Sequence, residues 1–120
     1  MQIEPKIVFR GTEPSDALRQ RIEQRIERLE QMHPHVTSCR VSLEPHKLHQ
    51  HQGHHFHVRV DVTVPGHELV VNREPLAHQE HEDPFVAVRD AFDAMDRQLE
   101  DLARVQRGDV KTHQPRQPEA

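Results

Sequence analysis

Two segments of the chain carry apolar residues at every third or fourth position, the spacing of an amphipathic helix. The first spans about residues 14–32 and ends before Pro34, since proline disfavours helical geometry at the residue preceding it. The second follows Asp83, whose carboxylate can cap a helix, and Pro84, which fits the first helical position. The apolar stripes are Leu18, Ile22, Ile26 and Leu29 in the first segment and Phe85, Val88, Phe92, Met95, Leu99 and Leu102 in the second.

Shorter segments alternate apolar and polar residues, the period of a strand with one buried face. The alternation is cleanest over residues 56–64, and Pro65 and Gly66 then predict a turn and a hairpin with the segment that follows. The predicted strands cover residues 6–10, 39–44, 56–64 and 67–73.

The resulting order is strand, helix, strand, strand, strand, helix. Each strand run and each helix has a single apolar face, so the simplest packing is an α+β fold with both helices on one face of a four-stranded sheet. We expect residues 1–107 to form this one domain. Residues 108–120 are polar and contain prolines, which predicts a flexible polar tail.

The composition narrows the class of protein. A chain of 120 residues with 33% hydrophobic residues can bury one modest core. The N-terminus has no apolar run behind a basic start, and no apolar stretch reaches the ~20 residues of a membrane span, so we expect neither a secretory signal nor a membrane partner. The single Cys39, at an inward strand position, excludes an intramolecular disulfide and is compatible with a cytoplasmic location. No catalytic constellation or glycine-rich phosphate loop is present, which predicts no enzyme activity, no cofactor and no small-molecule substrate.

The charge balance argues against tight, nonspecific binding to nucleic acid. Lys and Arg total 16 and Asp and Glu total 20, a net charge of −4 with histidine neutral. Two features favour nucleic-acid binding nonetheless. Most of the basic residues are arginines, which bind phosphate bidentately, and 12 histidines gain positive charge as the pH falls.

Charges on the two helices are arranged differently. On the first helix three arginines, Arg21, Arg25 and Arg28, lie on one flank of the apolar stripe. The glutamates lie on the other flank. This arrangement indicates either a basic rim for RNA or a solvated amphipathic helix. On the second helix the arginines alternate with carboxylates. A surface of local ion pairs is therefore as good an interpretation of this helix as an RNA-binding surface. The candidate RNA-binding residues are Arg21, Arg25 and Arg28 on the first helix and Arg89, Arg97 and Arg104 on the second.

Residues 46–57 are rich in histidine. Converging imidazoles could hold zinc, nickel or copper, and a histidine-rich metal-binding module is the alternative function. A solvated loop and rings that contact RNA are the other interpretations. The candidate ligands are His49, His51, His55 and His57.

The second helix and the residues before it resemble one known family. "H-E-D-x-aromatic-x-A-aliphatic" followed by "R-Q-L" is similar to the ribosome hibernation promoting factors, also called ribosome-associated inhibitors or sigma-54 modulation proteins. A weaker similarity runs along the first helix, residues 18–30. One departure is Glu80, where the family commonly has a basic residue. The matching residues are His81, Glu82, Asp83, Phe85, Ala87, Val88, Arg97, Gln98 and Leu99.

The resemblance implies a fold similar to a double-stranded RNA-binding domain and a function in translation. It implies a stress-response protein of the cytoplasm that binds the small ribosomal subunit and its rRNA near the decoding region and blocks access of mRNA and tRNA. Arg25 and Arg28 occupy matching basic positions, and Arg97 is the arginine of "R-Q-L". Long members of the family add a dimerisation domain, so this chain is expected to be a short-type factor or a fragment, and a monomer or weak dimer.

Overall fold

Six elements follow one another along the chain in the predicted order, β-α-β-β-β-α. The computed structural model describes residues 2–47, 54–73 and 83–108, with residues 46, 47, 54 and 55 as backbone only. The elements are β1 (Lys6–Phe9), α1 (Asp16–Met32), β2 (Ser38–Lys47), β3 (His54–Val64), β4 (His67–Arg73) and α2 (Pro84–Arg107).

The four strands form one mixed sheet in the order β1-β2-β3-β4. β1 pairs parallel to β2, and the other neighbours are antiparallel. The register places Ile7, Val41, Val60 and Val71 in one row across all four strands. Because residues two apart in a strand point to the same face, this row and those beside it give the sheet one apolar face.

Side-chain caps set the start of both helices. α1 begins at Asp16, two residues later than predicted, because the Ser15 hydroxyl accepts a hydrogen bond of 3.2 Å from the amide three residues on. α2 begins as predicted, with the Asp83 carboxylate accepting a hydrogen bond of 2.9 Å from the Phe85 amide. α2 ends at Gly108, whose φ of 81° lies in the left-handed region that glycine adopts without strain.

Both predicted apolar stripes pack onto the apolar face of the sheet. Phe92 and Met95 have no exposed surface, and the four stripe residues of α1 are all buried. Phe85 and Leu102, at the two ends of the α2 stripe, are only partly buried against the same core. The prediction of two helices on one sheet face is therefore confirmed.

Cys39 is part of this core, as its inward strand position predicts. It is 3% exposed. Burial raises the pKa of its thiol to about 12, and the negative charge of Asp61 acts in the same direction. The thiol therefore stays protonated and unreactive at neutral pH.

The central hairpin is longer than the hydrophobic pattern predicts. Pairing between β2 and β3 continues through His46 with His55 and Lys47 with His54, because backbone hydrogen bonds need no apolar side chains. Residues 74–82, which connect β4 to α2, fall outside the described residues. The predicted tail falls outside them beyond Gly108, so the domain boundary stays a prediction. Among the residues described, no helix is long and apolar enough to cross a membrane.

Candidate functional site

The six candidate arginines all lie in the helical layer, which covers one face of the sheet. α1 and α2 lie side by side and run in the same direction. Their contacts show this: Arg21 lies over the ring of Phe85, whereas Arg25 and His33, further along α1, contact the middle of α2. The structure thus brings the arginines of both helices to one side of the molecule.

Arg25 joins the two helices. Its Nη2 lies 2.9 Å from Asp93 Oδ1 and 3.3 Å from Asp96 Oδ2, and its guanidinium lies 5.3 Å from the centre of the Phe92 ring. Only 12% of its side chain is exposed. On the other side of Asp96, His33 Nε2 lies 3.4 Å from Oδ1. The positive charge of Arg25 is therefore balanced inside the fold.

Arg21 and Arg28, the other two candidates on α1, are exposed. The Arg21 guanidinium lies 5.3 Å from the centre of the Phe85 ring, a cation–π contact that leaves its hydrogen-bond donors available. Neither arginine forms an ion pair with a residue that the structure describes. No carboxylate that the structure describes therefore balances the positive charges of these two side chains.

On α2, two of the three candidates pair with neighbouring carboxylates. Arg89 Nη2 lies 3.1 Å from Asp90 Oδ1, and Arg104 pairs with Asp101. Arg97 is exposed and forms no ion pair within the described part of the chain. The local pairs thus join residues one and three positions apart.

Asp90 also ties α2 to the sheet. Its Oδ2 lies 3.1 Å from Nη2 of Arg73, which is only 13% exposed at the end of β4. Burial by itself would raise the pKa of the Asp90 carboxyl, but hydrogen bonds and positive charge from Arg73 and Arg89 hold it below its ordinary value of 3.8.

The structure describes the side chain of only one of the four histidine candidates. His49 and His51 lie outside the described residues, and His55 is described as backbone in β3. His57 is half-buried, with Nε2 3.0 Å from Asn72 Oδ1 on β4. Within residues 2–47, 54–73 and 83–108, no group of three or more potential ligands is placed to hold a metal.

The sequence interpretation overlooked the sheet face that neither helix covers. Arg40 and Arg59 project from it, and Arg10 lies at its edge beyond β1. The signal was present, because Arg40 and Arg59 occupy the polar positions of the alternating strands. The strand pairing that brings them together was not predictable from either strand alone.

Comparisons with known protein sequences identify relatives of this chain. Residues 6–107 match the sequence model of the family described as sigma 54 modulation protein / S30EA ribosomal protein. A ribosome hibernation promoting factor from Azotobacter vinelandii is 35% identical over 85 residues, which cover 71% of this chain and 68% of that protein.

Solved structures share the fold. A ribosomal subunit interface protein from Coxiella burnetii aligns with a TM-score of 0.67 at 18% identity, over 82% of this chain and 96% of that one. The N-terminal domain of Protein Y from Thermus thermophilus aligns with a TM-score of 0.59 at 23% identity, over 81% and 94% of the two chains. At these identities the likeness establishes the arrangement of strands and helices.

Proposed function

The chain belongs to the sigma 54 modulation protein / S30EA ribosomal protein family, and on that premise we propose that it is a ribosome-associated hibernation factor. It binds the small ribosomal subunit and its rRNA near the decoding region, blocks access of mRNA and tRNA, and so holds idle ribosomes inactive. It acts in the cytoplasm, where ribosomes are, as a monomer or weak dimer.

The extent of the family match carries this proposal. The matched residues, 6–107, include all six elements of the fold. A relative with 35% identity is itself named a ribosome hibernation promoting factor. The similarity thus covers the whole folded unit and is not confined to one motif.

The helical layer supplies the groups that bind rRNA phosphates. Arg21, Arg28 and Arg97 are exposed and unpaired within the described residues, and a guanidinium donates two parallel hydrogen bonds to a phosphate. Arg89 and Arg104 contribute by exchanging their exposed carboxylate partners for phosphate. Arg25 contributes by fixing the position of α1 against α2.

Binding and steric occlusion are sufficient for this function, and no chemical step is required. The protein is therefore a non-enzymatic regulator. The two helices together carry eight arginines, four on each, and nine carboxylates, four on α1 and five on α2. Such a surface binds RNA only where phosphates match its arginines, which favours a specific ribosomal site over nucleic acid in general.

Co-sedimentation with purified small and large ribosomal subunits tests the proposal. Wild-type protein should sediment with the small subunit and inhibit translation of a reporter mRNA in vitro. The triple variant Arg21→Gln, Arg28→Gln and Arg97→Gln should lose both effects and keep its circular dichroism spectrum. Arg25 is left unchanged, because its replacement would also disturb helix packing.

A second triple variant controls for net charge. Gln2→Glu, Thr12→Glu and Gln20→Glu change exposed positions and lower the net charge by the same three units. This control should bind like wild type. Binding of wild type to the large subunit alone, or to neither subunit, would refute the proposal.

A further inference from the structure

Both helices cover the same face of the sheet. No helix or strand within the described residues covers the opposite face, which we call the open face. Its side chains come from the polar positions of β2 and β3. The register pairs Arg40 with Asp61 and Ser42 with Arg59, so these four side chains are neighbours on that face. Ser42 is small beside Arg40 and Glu44, its neighbours on the same face of β2, and it forms the floor between their longer side chains.

Arg10 completes this group from the edge of the sheet. It follows the last residue of β1, and its amide donates a 2.9 Å hydrogen bond to the carbonyl of Leu43, so β1 stays aligned with β2 beyond its formal end. Arg10 lies two positions after Val8, which the register places beside Ser42 on the open face. Arg10 therefore reaches the same side of the sheet.

These residues line a depression with a volume of about 390 Å³. That volume far exceeds the ~10–15 Å³ that a cavity needs to hold one water molecule, so a phosphate group with hydration water fits. The charged side chains of its lining are Arg10, Arg40, Arg59, Glu44 and Asp61, and His57 lies at the rim.

One carboxylate in the depression is already neutralised. Both oxygens of Asp61 accept hydrogen bonds of 3.1 Å from the Arg59 guanidinium, which holds that guanidinium against Asp61. Arg10 and Arg40 are exposed and form no ion pair with any residue that the structure describes. Three arginines thus face two carboxylates, whereas carboxylates exceed arginines on the helices.

We propose that the depression formed by Arg10, Arg40, Ser42 and Arg59 on the open sheet face binds a phosphate group of an RNA backbone. The guanidiniums of Arg10 and Arg40, which form no ion pair within the described residues, can donate to phosphate oxygens. The Ser42 hydroxyl can donate a further hydrogen bond from the floor. The helical arginines lie on the opposite side of the molecule. The domain would then contact two RNA segments at once, one on each face.

This inference rests on the proposed function, because rRNA is the partner that supplies both segments. The salt dependence of small-subunit binding tests it. Each phosphate contact contributes about one unit to the slope of log affinity against log salt. Arg40→Gln should weaken binding roughly five- to tenfold and lower that slope by about one. Arg19→Gln, which removes the same charge from the β1 side of α1, should leave the slope unchanged.

Equal slopes for wild type and Arg40→Gln, or an equal loss in Arg19→Gln, would overturn the inference while leaving the proposed function in place. Failure of wild type to bind subunits would instead contradict the proposed function. In that case a short oligouridylate still decides the inference, through amide shift changes at Arg40, Ser42 and Arg59 in NMR spectra of the full chain. Shifts at these residues support the RNA site, and their absence overturns it. Equal shifts with polyglutamate would identify an acidic protein as the ligand and overturn it as well.

Discussion

Arg25 shows how the role of a single residue depends on its distance from the buried stripe. Arg21, Arg25 and Arg28 share one flank of α1, yet only Arg25 is largely buried. At 100° per residue, Arg25 lies nearest of the three to the apolar stripe, so its side chain enters the seam between the helices. There Asp93 and Asp96 hold it.

Replacing Arg25 should therefore affect stability as well as binding. Arg25→Gln should lower the free energy of unfolding by about 1–3 kcal/mol, because it removes hydrogen bonds to carboxylates and leaves the 14% exposed Asp96 without its cation. Arg28→Gln, at an exposed position on the same flank, should change it by less than about 0.5 kcal/mol. Urea denaturation of both variants gives the comparison. Equal effects would mean that the pairs of Arg25 contribute nothing to stability.

At the scale of elements, α2 is placed by a cap at its start and by an apolar stripe along its length. Asp83 satisfies a backbone amide in the first turn, and its charge favours the positive end of the helix dipole. Phe92, with no exposed surface, lies in the middle of the stripe, between the sheet and Arg25. The cap fixes where the helix begins, and the stripe fixes what it packs against.

The two features should differ in energy. Asp83→Ala should cost about 1 kcal/mol as a lost cap. Phe92→Ala should cost roughly 3–5 kcal/mol, because it removes a large buried side chain and leaves a cavity. With a total stability of about 5–10 kcal/mol for a small domain, the second variant should be close to unfolding at room temperature. Denaturant melts measure both free energies of unfolding. A large loss of stability in Asp83→Ala together with almost none in Phe92→Ala would contradict the observed packing of α2.

The ion pair between Arg73 of β4 and Asp90 of α2 predicts that the stability of the fold depends on pH. Folding lowers the pKa of Asp90, so its ion pairs stabilise the fold above the ordinary value of 3.8 and are lost as the pH falls through the lower folded value. Asp90→Asn should therefore cost about 0.5 kcal/mol at neutral pH, a small value because the Asp90 side chain is 37% exposed. Denaturant melts across the acidic range should show that cost shrinking below pH 3.8. Gln98→Ala, an exposed change on the same helix that removes no ionisable group, should show no such trend.

At the scale of the whole molecule, the balance of positive and negative charge differs between the helical surface and the open sheet face. The helical surface carries slightly more carboxylates than arginines, and the depression on the open sheet face has an excess of arginine. The histidines can add positive charge, since the net charge of −4 becomes as much as +8 when all 12 are protonated. The proposed RNA binding should therefore depend on pH.

Affinity for ribosomes should rise as the pH falls from about 7.5 to about 6, the range in which unperturbed imidazoles gain a proton. Replacing the histidines of the histidine-rich segment, residues 46–57, with glutamine should flatten this dependence. Co-sedimentation at a series of pH values measures both effects. Stoichiometric, sub-micromolar zinc binding that survives dialysis and raises the melting temperature would instead favour a metal site.

The sequence alone determined the elements and the face that each one buries. The period of three to four residues identified both helices, and the period of two identified the strands, because a repeating pattern records which side of a helix or strand meets the core. The motif around Asp83 and Arg97 indicated the family. The same pattern gave shorter bounds for β2 and β3, since backbone pairing extends past the apolar residues.

Only the tertiary structure decided which charges remain available. Arg25 and Asp93 lie 68 positions apart in the chain, and Arg10 meets Arg40 and Arg59 only because β1 pairs with β2 and β2 with β3. Periodicity describes the surroundings of a residue within its own element and carries no record of the partner element. Whether an arginine is neutralised inside the fold or stays exposed at the surface depends on that partner, and so on how the helices and strands are packed together.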